Sequence, residues 1–308
     1  MRSMRTSSDG RRLVSPSDGS APGHFCNAQE LQIHVCRHDA GNGRGPWAVL
    51  ESALGCPATA WVLVQRALAE RGISSLAYDR PGIGFSGGRR PDKAVKHASR
   101  LASVLAAENI GEAVFVGHSV GGLLVRSHAA QHPELVSGLV LIDSSHPNQQ
   151  MRSVRQREVM YRLEARMLRM LRNPPPLNET PAEYAPLTEP YASLTHHRGN
   201  SPAGIRGSKA ELRMWRGSWA KEAGKSTDFG DLPLAVVTAG LTAENDPAHM
   251  VLQTELSQLS DKGHHLVVEG ASHQGLIMEP EYAELASSAI AGVVAEATFT
   301  TRKVGQQS

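Results

Sequence analysis

The chain has 308 residues, 40% of them hydrophobic, which is enough for one large domain with a buried core. With 32 basic against 30 acidic residues, its formal net charge of +2 gives no reason to expect a nucleic acid or an anionic membrane as partner. No stretch approaches the ~18 consecutive apolar residues that a membrane helix requires.

The first 23 residues are rich in Ser, Arg, Gly and Pro and have no apolar core of the kind found in secretion signals. We interpret residues 1–23 as a disordered leader. The three cysteines, Cys26, Cys36 and Cys56, match no metal or redox spacing. A disulfide between Cys26 and Cys36 on neighbouring strands is one interpretation, and three reduced thiols in a cytoplasmic protein is the simpler one.

Short apolar runs alternate with amphipathic helices from about residue 32 onward. Strands that are covered on both faces are continuous apolar runs, so this alternation predicts a mostly parallel sheet between two layers of helices. The predicted strands are 32–36, 47–50, 73–78, 113–116, 139–142, 234–238 and 266–269, and the predicted helices are 58–70, 94–108, 120–131, 250–259 and 282–296.

The alternation stops near Pro147. From residue 148 to 231 the chain is rich in Arg, helical in places and interrupted by prolines, with no strand-like run. We interpret 148–231 as a helical insertion and a candidate lid over a pocket. The α/β core is then divided into a first part, 24–147, and a second part, 232–308.

One serine stands in the strand, turn and helix context that a nucleophile needs. The apolar strand 113–116 leads directly into Gly117-His118-Ser119-Val120-Gly121, and a helical stretch follows. The pattern G-x-S-x-G on such a turn lifts the serine oxygen out at the carboxyl end of the sheet. The glycines leave room where the strand and the helix approach the turn. We therefore predict that Ser119 is a nucleophile.

Fourteen histidines compete for the role of its base. His273 follows the predicted strand 266–269, in the loop at that strand's carboxyl end, where reactive groups of open α/β sheets gather. His264 and His265 are expected to precede this strand, on the wrong edge of the sheet. We predict that His273 is the base.

These pieces together resemble the α/β-hydrolase superfamily, from about Gln32 to the end of the chain. The resemblance rests on Leu50–Gly55, Tyr78–Ser86, the serine turn and Ala271-Ser272-His273. It implies a sheet of about eight mostly parallel strands, with the insertion in the usual lid position. It also implies a carboxylate that lies between the nucleophile and the base in chain order.

The acid is the open member of this set. Most members of the superfamily have it after the strand that follows the lid, a register that falls here on Ala243, with Glu244 and Asp246 just beyond. Asp246 precedes a proline and also fits a helix N-cap. Some members, such as haloalkane dehalogenases, have the acid after the strand before the lid, where this chain has Asp143. We expect Asp143 to be the acid, with Asp246 and then Glu244 as alternatives.

The tetrahedral oxyanion of acyl transfer needs preorganised N–H donors. The N–H of Val120, directly after the nucleophile, is one. The resemblance places the second in the loop after the first buried strand, where His-Gly is usual and this chain has Glu51-Ser52-Ala53, so Ala53 is the candidate. The run Gly82–Gly87 spells G-x-G-x-x-G, but Gly88-Arg89-Arg90-Pro91 follows it where a dinucleotide site needs a helix.

The sequence therefore predicts a serine hydrolase that forms an acyl-enzyme on a small-molecule carboxylic ester or lactone. Thioesterase, amidase or C–C hydrolase chemistry with the same residues is the alternative, as is a ligand-binding relative without turnover. We expect no cofactor, no metal, no nucleic acid and no membrane partner, and a cytoplasmic monomer or homodimer.

Overall fold

The computed structural model describes residues 20–41 and 45–305, with side chains given up to residue 299. Eight strands form a single sheet in the spatial order β1-β2-β4-β3-β5-β6-β7-β8. The strands are β1 (His24–Ala28), β2 (Leu31–His38), β3 (Trp47–Glu51), β4 (Ser75–Tyr78), β5 (Ala113–His118), β6 (Val136–Ile142), β7 (Leu234–Ala239) and β8 (Gly263–Val268).

Strands β4, β3, β5, β6, β7 and β8 run parallel, whereas β2 is antiparallel to both of its neighbours, β1 and β4. Parallel strands bring their carboxyl ends to one edge of the sheet. The residues that follow β3, β5, β6, β7 and β8 therefore meet there, as expected for the reactive edge of an open α/β sheet.

Twelve α-helices lie among the described residues. They are α1 (Val62–Glu70), α2 (Ala94–Ala107), α3 (Gly121–Gln131), α4 (Gln149–Arg152), α5 (Val154–Arg172), α6 (Tyr191–Asn200), α7 (Pro202–Met214), α8 (Ala220–Ala223), α9 (Gly240–Asn245), α10 (Pro247–Ser257), α11 (Gly275–Met278) and α12 (Pro280–Gly305). Short 3₁₀ turns occupy Ala58–Trp61, Pro133–Leu135 and Ala182–Leu187, and a π-helical turn, Trp215–Trp219, joins α7 to α8.

Two apolar layers cover the faces of the sheet. Within β5, Val114 and Val116 face one layer and Phe115 faces the other, as the two-residue period of a strand requires. The first layer includes residues of α1 and α12, and the second includes residues of α2, α3 and α10. Both faces being buried explains why the central strands are continuous apolar runs in the sequence.

We call α4 to α8 the inserted helices, because they lie between β6 and β7. A third apolar cluster joins them to the start of α3, where Leu123 and Leu124 pack with Met160, Leu212 and Trp219. This contact holds the inserted helices over the carboxyl edge of the sheet. Their role as a lid stays a prediction.

The seven predicted strands and five predicted helices are all present, with shifted ends, but β1 was not predicted. The expectation that His264 and His265 precede the last strand was wrong, because both lie in the first half of β8, whose pairing with β7 begins at Gly263. Most of β8 is exposed or half-buried, so it lacks the continuous apolar run that marks the inner strands.

Residues 1–19, most of the predicted leader, lie outside the described residues. Pro22, which also falls in the predicted leader, is buried, and its carbonyl accepts a hydrogen bond from Nε2 of His34. The three cysteines are free thiols, and Cys26 of β1 stands opposite Ile33 rather than Cys36.

Candidate active site

Ser119 occupies the sharp turn between β5 and α3 with a left-handed φ of 56°. The flanking glycines are sterically required. A Cβ at Gly121 would lie 2.4 Å from the carbonyl oxygen of Glu51, and one at Gly117 would lie 2.6 Å from Gly122. The turn is fixed to the neighbouring strand, because Ser119 N–H donates to the carbonyl of Ile142 at 3.0 Å. The sequence context thus produces the strained turn that was predicted from it.

Asp143 directly follows β6 and is 2% exposed. Its Oδ2 lies 2.5 Å from Nδ1 of His273, the histidine in the loop after β8. The carboxylate accepts and the imidazole donates, so Nε2 of His273 is left free as a proton acceptor. Of the three acids left open by the sequence, Asp143 is therefore the one that contacts His273.

Asp143 also contacts a second histidine. Nε2 of His249 lies 2.9 Å from Oδ1, and the backbone N–H of Ala239 donates to the same oxygen at 3.1 Å. Burial alone would raise the pKa of Asp143, but the hydrogen bonds from His249 and His273 outweigh it and hold this pKa well below its usual range. The carboxylate is therefore ionised at neutral pH.

The two alternative acids serve other purposes. Asp246 caps α10 by accepting from His249 N–H at 3.3 Å, and its Oδ2 accepts from the hydroxyl of Ser153 at 2.7 Å. Glu244 is exposed on α9. The interpretation of Asp246 as a helix cap agrees with this geometry.

A buried arginine fixes the loop that contains Ala53. The guanidinium of Arg80 donates to the carbonyl oxygens of Ser52 and Ala53, each at 2.7 Å. It also forms ion pairs with Glu51 of β3 at 2.6 Å and with Glu211 of α7 at 2.5 Å. Its bonds to the loop carbonyls hold the backbone that carries the Ala53 N–H.

Glu51 is fully buried in this network. Its carboxylate also accepts from Nε2 of His97 at 2.8 Å and from the hydroxyl of Tyr78. Burial would raise the pKa of Glu51, but the charges of His97 and Arg80 outweigh it and lower this pKa to about 2.

A cavity of about 500 Å³ brings the predicted residues together. Ser119, Asp143, His273 and Ala53 all line it, and so does Asp246. Val120 follows Ser119 at the N-cap of α3. From the inserted helices, the wall includes Gln149, Arg155, Gln156, Val159, Leu163, Met167 and Trp215.

Three donors at this edge of the sheet have no hydrogen-bond partner among the described residues. Within the described part of the chain, the hydroxyl of Ser119 and the N–H groups of Val120 and Ala53 make no hydrogen bond. A hydroxyl to base contact is often long in a free enzyme and shortens when substrate binds. The two unpaired N–H groups suit an oxyanion.

His118, between Gly117 and Ser119, is a packing residue. Its ring lies 4.6 Å from that of His273, and its Nε2 donates to the His273 carbonyl at 2.9 Å. Burial, together with the nearby charge of His273, lowers the pKa of His118 to about 3, so this ring stays neutral and supports the backbone of the His273 loop.

Sequence reasoning missed two residues of the site, His249 and Arg80. His249 is the third residue of the helix that follows the Asp246 cap, a position at the reactive edge of the sheet that could have identified it. Arg80 gave no such signal, since Glu211, its partner, is 131 residues away in the chain.

No group of three or more His, Cys, Asp or Glu side chains in residues 20–41 and 45–299 is arranged to hold a metal ion. The run Gly82–Gly87 lies in the turn-rich segment that follows β4, and the next helix begins only at Ala94. Nor does the described structure contain a helix with the length and apolar character needed to cross a bilayer.

Comparison with known proteins identifies the family. The model of the alpha/beta hydrolase family matches residues 38–288. The chain belongs to this family, and its sheet with the inserted helices is an α/β-hydrolase fold.

Individual relatives are more distant. Over 120 residues the chain is 36% identical to RutD of Pseudomonas savastanoi pv. phaseolicola, a protein provisionally named a carbamate hydrolase, and the match covers 38% of this chain and 44% of RutD. The chain thus spans less than half the length of the curated relatives it matches.

Solved structures match over most of their length. An enol-lactonase from Burkholderia xenovorans has a TM-score of 0.63 and 20% identity, with 88% of this chain and 100% of that chain covered. An esterase from Thermogutta terrifontis has a TM-score of 0.62 and 18% identity, with 87% and 94% covered. At this identity the likeness shows the fold alone.

Proposed function

We propose that the protein is a serine hydrolase that acts through an acyl-enzyme on a small-molecule carboxylic ester or lactone. Ser119 is the nucleophile, His273 the base and Asp143 the acid. The observation that carries the proposal is the 2.5 Å contact between Asp143 and His273 in the cavity that Ser119 lines from its strained turn.

The chemistry follows from these contacts. Ser119 Oγ attacks the acyl carbon while its proton passes to Nε2 of His273. Asp143 holds the imidazole by Nδ1 and stabilises the imidazolium that forms. The N–H groups of Val120 and Ala53 donate to the oxyanion, each contributing about 3 kcal/mol to lowering the barrier. His273 returns the proton to the leaving group, and water then hydrolyses the acyl-enzyme with His273 again as base.

The choice of substrate rests on the cavity and on analogy. A wall that combines Leu163, Met167 and Trp215 with polar groups suits a small molecule with both apolar and polar parts. Relatives named as an enol-lactonase, an esterase and a carbamate hydrolase all bear names of acyl-bond hydrolases. A carboxylic ester or lactone is the substrate class named for two of the three, the enol-lactonase and the esterase.

The inserted helices act as a lid in this proposal, since they supply a third of the cavity wall. A cytoplasmic monomer or homodimer that needs no cofactor fits the same account. The alternative is a ligand-binding relative without turnover, and the hydroxyl of Ser119, which has no internal partner in the described chain, is the feature that keeps it open.

A fluorophosphonate probe and a series of p-nitrophenyl esters test the proposal. We expect the probe to label the protein at Ser119 and the shorter esters to be hydrolysed. Ser119→Ala should abolish labelling and lower kcat by about 10⁴-fold or more. Ser145→Ala, at another serine of the same cavity wall, is the matched control and should keep the label.

Labelling that persists in Ser119→Ala would exclude Ser119 as the nucleophile. A folded wild-type protein that takes no label and turns over no ester would favour the ligand-binding alternative. The ester series also separates the acyl classes, because acyl length should affect KM through the apolar wall.

A further inference from the structure

Besides His118, the reactive edge contains a second buried histidine that the reaction above does not use, His249. His249 is the third residue of α10, its side chain is 5% exposed, and it lines the cavity. Its Nε2 contacts Oδ1 of Asp143 at 2.9 Å, while His273 contacts Oδ2 at 2.5 Å. One carboxylate is therefore shared by two imidazoles.

The protonation of this trio is fixed by Asp143. An ionised carboxylate only accepts hydrogen bonds, so both histidines must donate to it. His249 therefore carries a proton on Nε2. The imidazole Nε2–H of His249, on a helix, and the backbone N–H of Ala239, at 3.1 Å on a strand, both donate to Oδ1 of Asp143.

Two donors on Oδ1 stop the carboxylate from rotating. With Oδ1 pinned, Oδ2 is directed at Nδ1 of His273. Ala239 alone would satisfy Oδ1 as an acceptor, yet a single donor defines a direction only loosely. Burying an imidazole also has a desolvation cost, which the hydrogen bond to the anionic carboxylate offsets.

His249 itself stands on an anchored helix start. Asp246 caps α10 and accepts both the His249 N–H at 3.3 Å and the hydroxyl of Ser153 at 2.7 Å. Ser153 in turn caps α5, the first long inserted helix. The backbone that carries the imidazole is thus anchored at the start of α10.

From this geometry we infer that His249 is a positioning residue, which orients the Asp143 carboxylate and through it the base His273. The inference rests on the proposed function. It predicts that the rate of acyl transfer depends on a donor at the position of His249 Nε2, whereas substrate binding does not.

Two amide substitutions separate this role from simple packing. The amide nitrogen of a glutamine at position 249 would lie close to the position of Nε2 and can donate to Oδ1 of Asp143. The asparagine side chain is one methylene shorter, so its amide nitrogen does not reach that position. We expect His249→Ala and His249→Asn to lower kcat by about 10- to 100-fold on a p-nitrophenyl ester, with KM changed by less than about threefold. His249→Gln should recover most of kcat.

A double-mutant cycle tests whether the effect passes through Asp143. In an Asp143→Asn background, His249→Ala should have no further effect on kcat. His265→Ala is the matched control, because His265 is a neighbouring half-buried histidine that bonds to Thr238 and not to Asp143. Its kcat should equal that of the wild type.

Three results would overturn the inference: a His249→Ala kcat within about twofold of wild type, an equal loss in both backgrounds, or equal behaviour of Gln and Asn. If His249→Ala does not fold, the comparison of Gln with Asn decides.

A failure of the proposed function is distinguishable, because the wild type would then show no turnover that depends on Ser119. If the wild type shows no such turnover, the low-field ¹H NMR signal of the His273 Nδ1–H tests the inference, because it reports the hydrogen bond to Asp143 without any reaction. Retention in His249→Gln with a shift or loss in His249→Asn supports the inference, and an unchanged signal in both contradicts it.

Discussion

Two residues of the candidate site, Ser119 and Asp143, have left-handed backbone conformations, with φ of 56° and 38°. Such a conformation costs of order 1–3 kcal/mol and persists only where surrounding contacts enforce it. Here each is held by its own N–H, Ser119 to the carbonyl of Ile142 at 3.0 Å and Asp143 to that of Val237 at 2.6 Å. Both residues line the cavity.

The assignment of the acid is testable at single residues. Asp143→Asn should lower kcat by about 10⁴-fold, because the amide no longer stabilises the imidazolium and favours the wrong tautomer of His273. Asp246→Asn keeps an oxygen that can cap the helix, and its kcat should fall much less. Ester kinetics on both folded variants compare them directly, and a larger loss in Asp246→Asn would move the acid to that position.

Single residues also show how far the sequence could reach. The positions of Ser119 and His273 at the reactive edge of the sheet were predictable, because each residue stands in a local sequence pattern that the fold imposes. The sequence favoured Asp143 as the acid but left Asp246 and Glu244 open, since all three come after apolar strands at the reactive edge. The choice depends on a contact 130 residues apart in the chain, from Asp143 to His273.

At the scale of elements, the buried strands were predictable and the outer ones less so. Inner strands such as β5 are apolar on both faces. β1 is a short strand with exposed and half-buried positions, and β8 lies at the other edge with most of its residues exposed or half-buried. Edge strands lack the continuous apolar run, so β1 was missed and the start of β8 was placed late.

The arginine network couples the core to the inserted helices. Arg80 ties β3, through Glu51, to α7, through Glu211, and holds the loop of Ala53 between them. All three charged side chains are buried, and removing one partner of such a set leaves charges uncompensated.

Arg80→Ala should therefore lower the free energy of unfolding by about 3–5 kcal/mol, measured by urea denaturation. The double variant Arg80→Ala with Glu211→Gln should lose less of the free energy of unfolding, because the uncompensated buried charge of Glu211 is removed. Arg216→Ala, which breaks a partly exposed pair with Glu164, is the control and should lose less than about 1 kcal/mol. A loss from Arg80→Ala no greater than that of the control would contradict the role of the network.

At the scale of the whole molecule, buried histidines contribute to the pH dependence of stability on both sides of neutrality. Burial is the largest cause in each case, and it lowers the pKa of His118 and His128 to about 3 and that of His146 to about 4. His34 is the opposite case. Its burial would lower the pKa, but the bond to Asp79 and the nearby Cys36 raise it to about 10.

The signs follow from proton uptake. Below pH 6.5 the unfolded chain protonates the three lowered histidines while the folded state does not, so stability falls as the pH drops toward 3 or 4. The contribution of His34 is fully present below pH 6.5 and is lost as the pH rises through about 10. The free energy of unfolding, measured by denaturation across pH, should be greatest near neutrality.

Single variants show which histidine causes the loss of stability in acid (the acid limb of the pH profile) and which causes the loss in alkali (the alkaline limb). His128→Leu should flatten the acid limb by up to about 1.4 kcal/mol per pH unit, and His34→Gln should flatten the alkaline limb. His264→Leu, at an exposed histidine, should leave both limbs unchanged. An acid limb that is as steep in His128→Leu as in the wild type would refute this origin.

The most direct test of the account is a crystal structure of the protein after reaction with a phosphonate inhibitor. We expect phosphorus bonded to Oγ of Ser119, its oxygen accepting from the N–H groups of Val120 and Ala53, and Nε2 of His273 within hydrogen-bond reach of the adduct. Phosphorus on any other residue, or a His273 turned away from an adduct on Ser119, would contradict it.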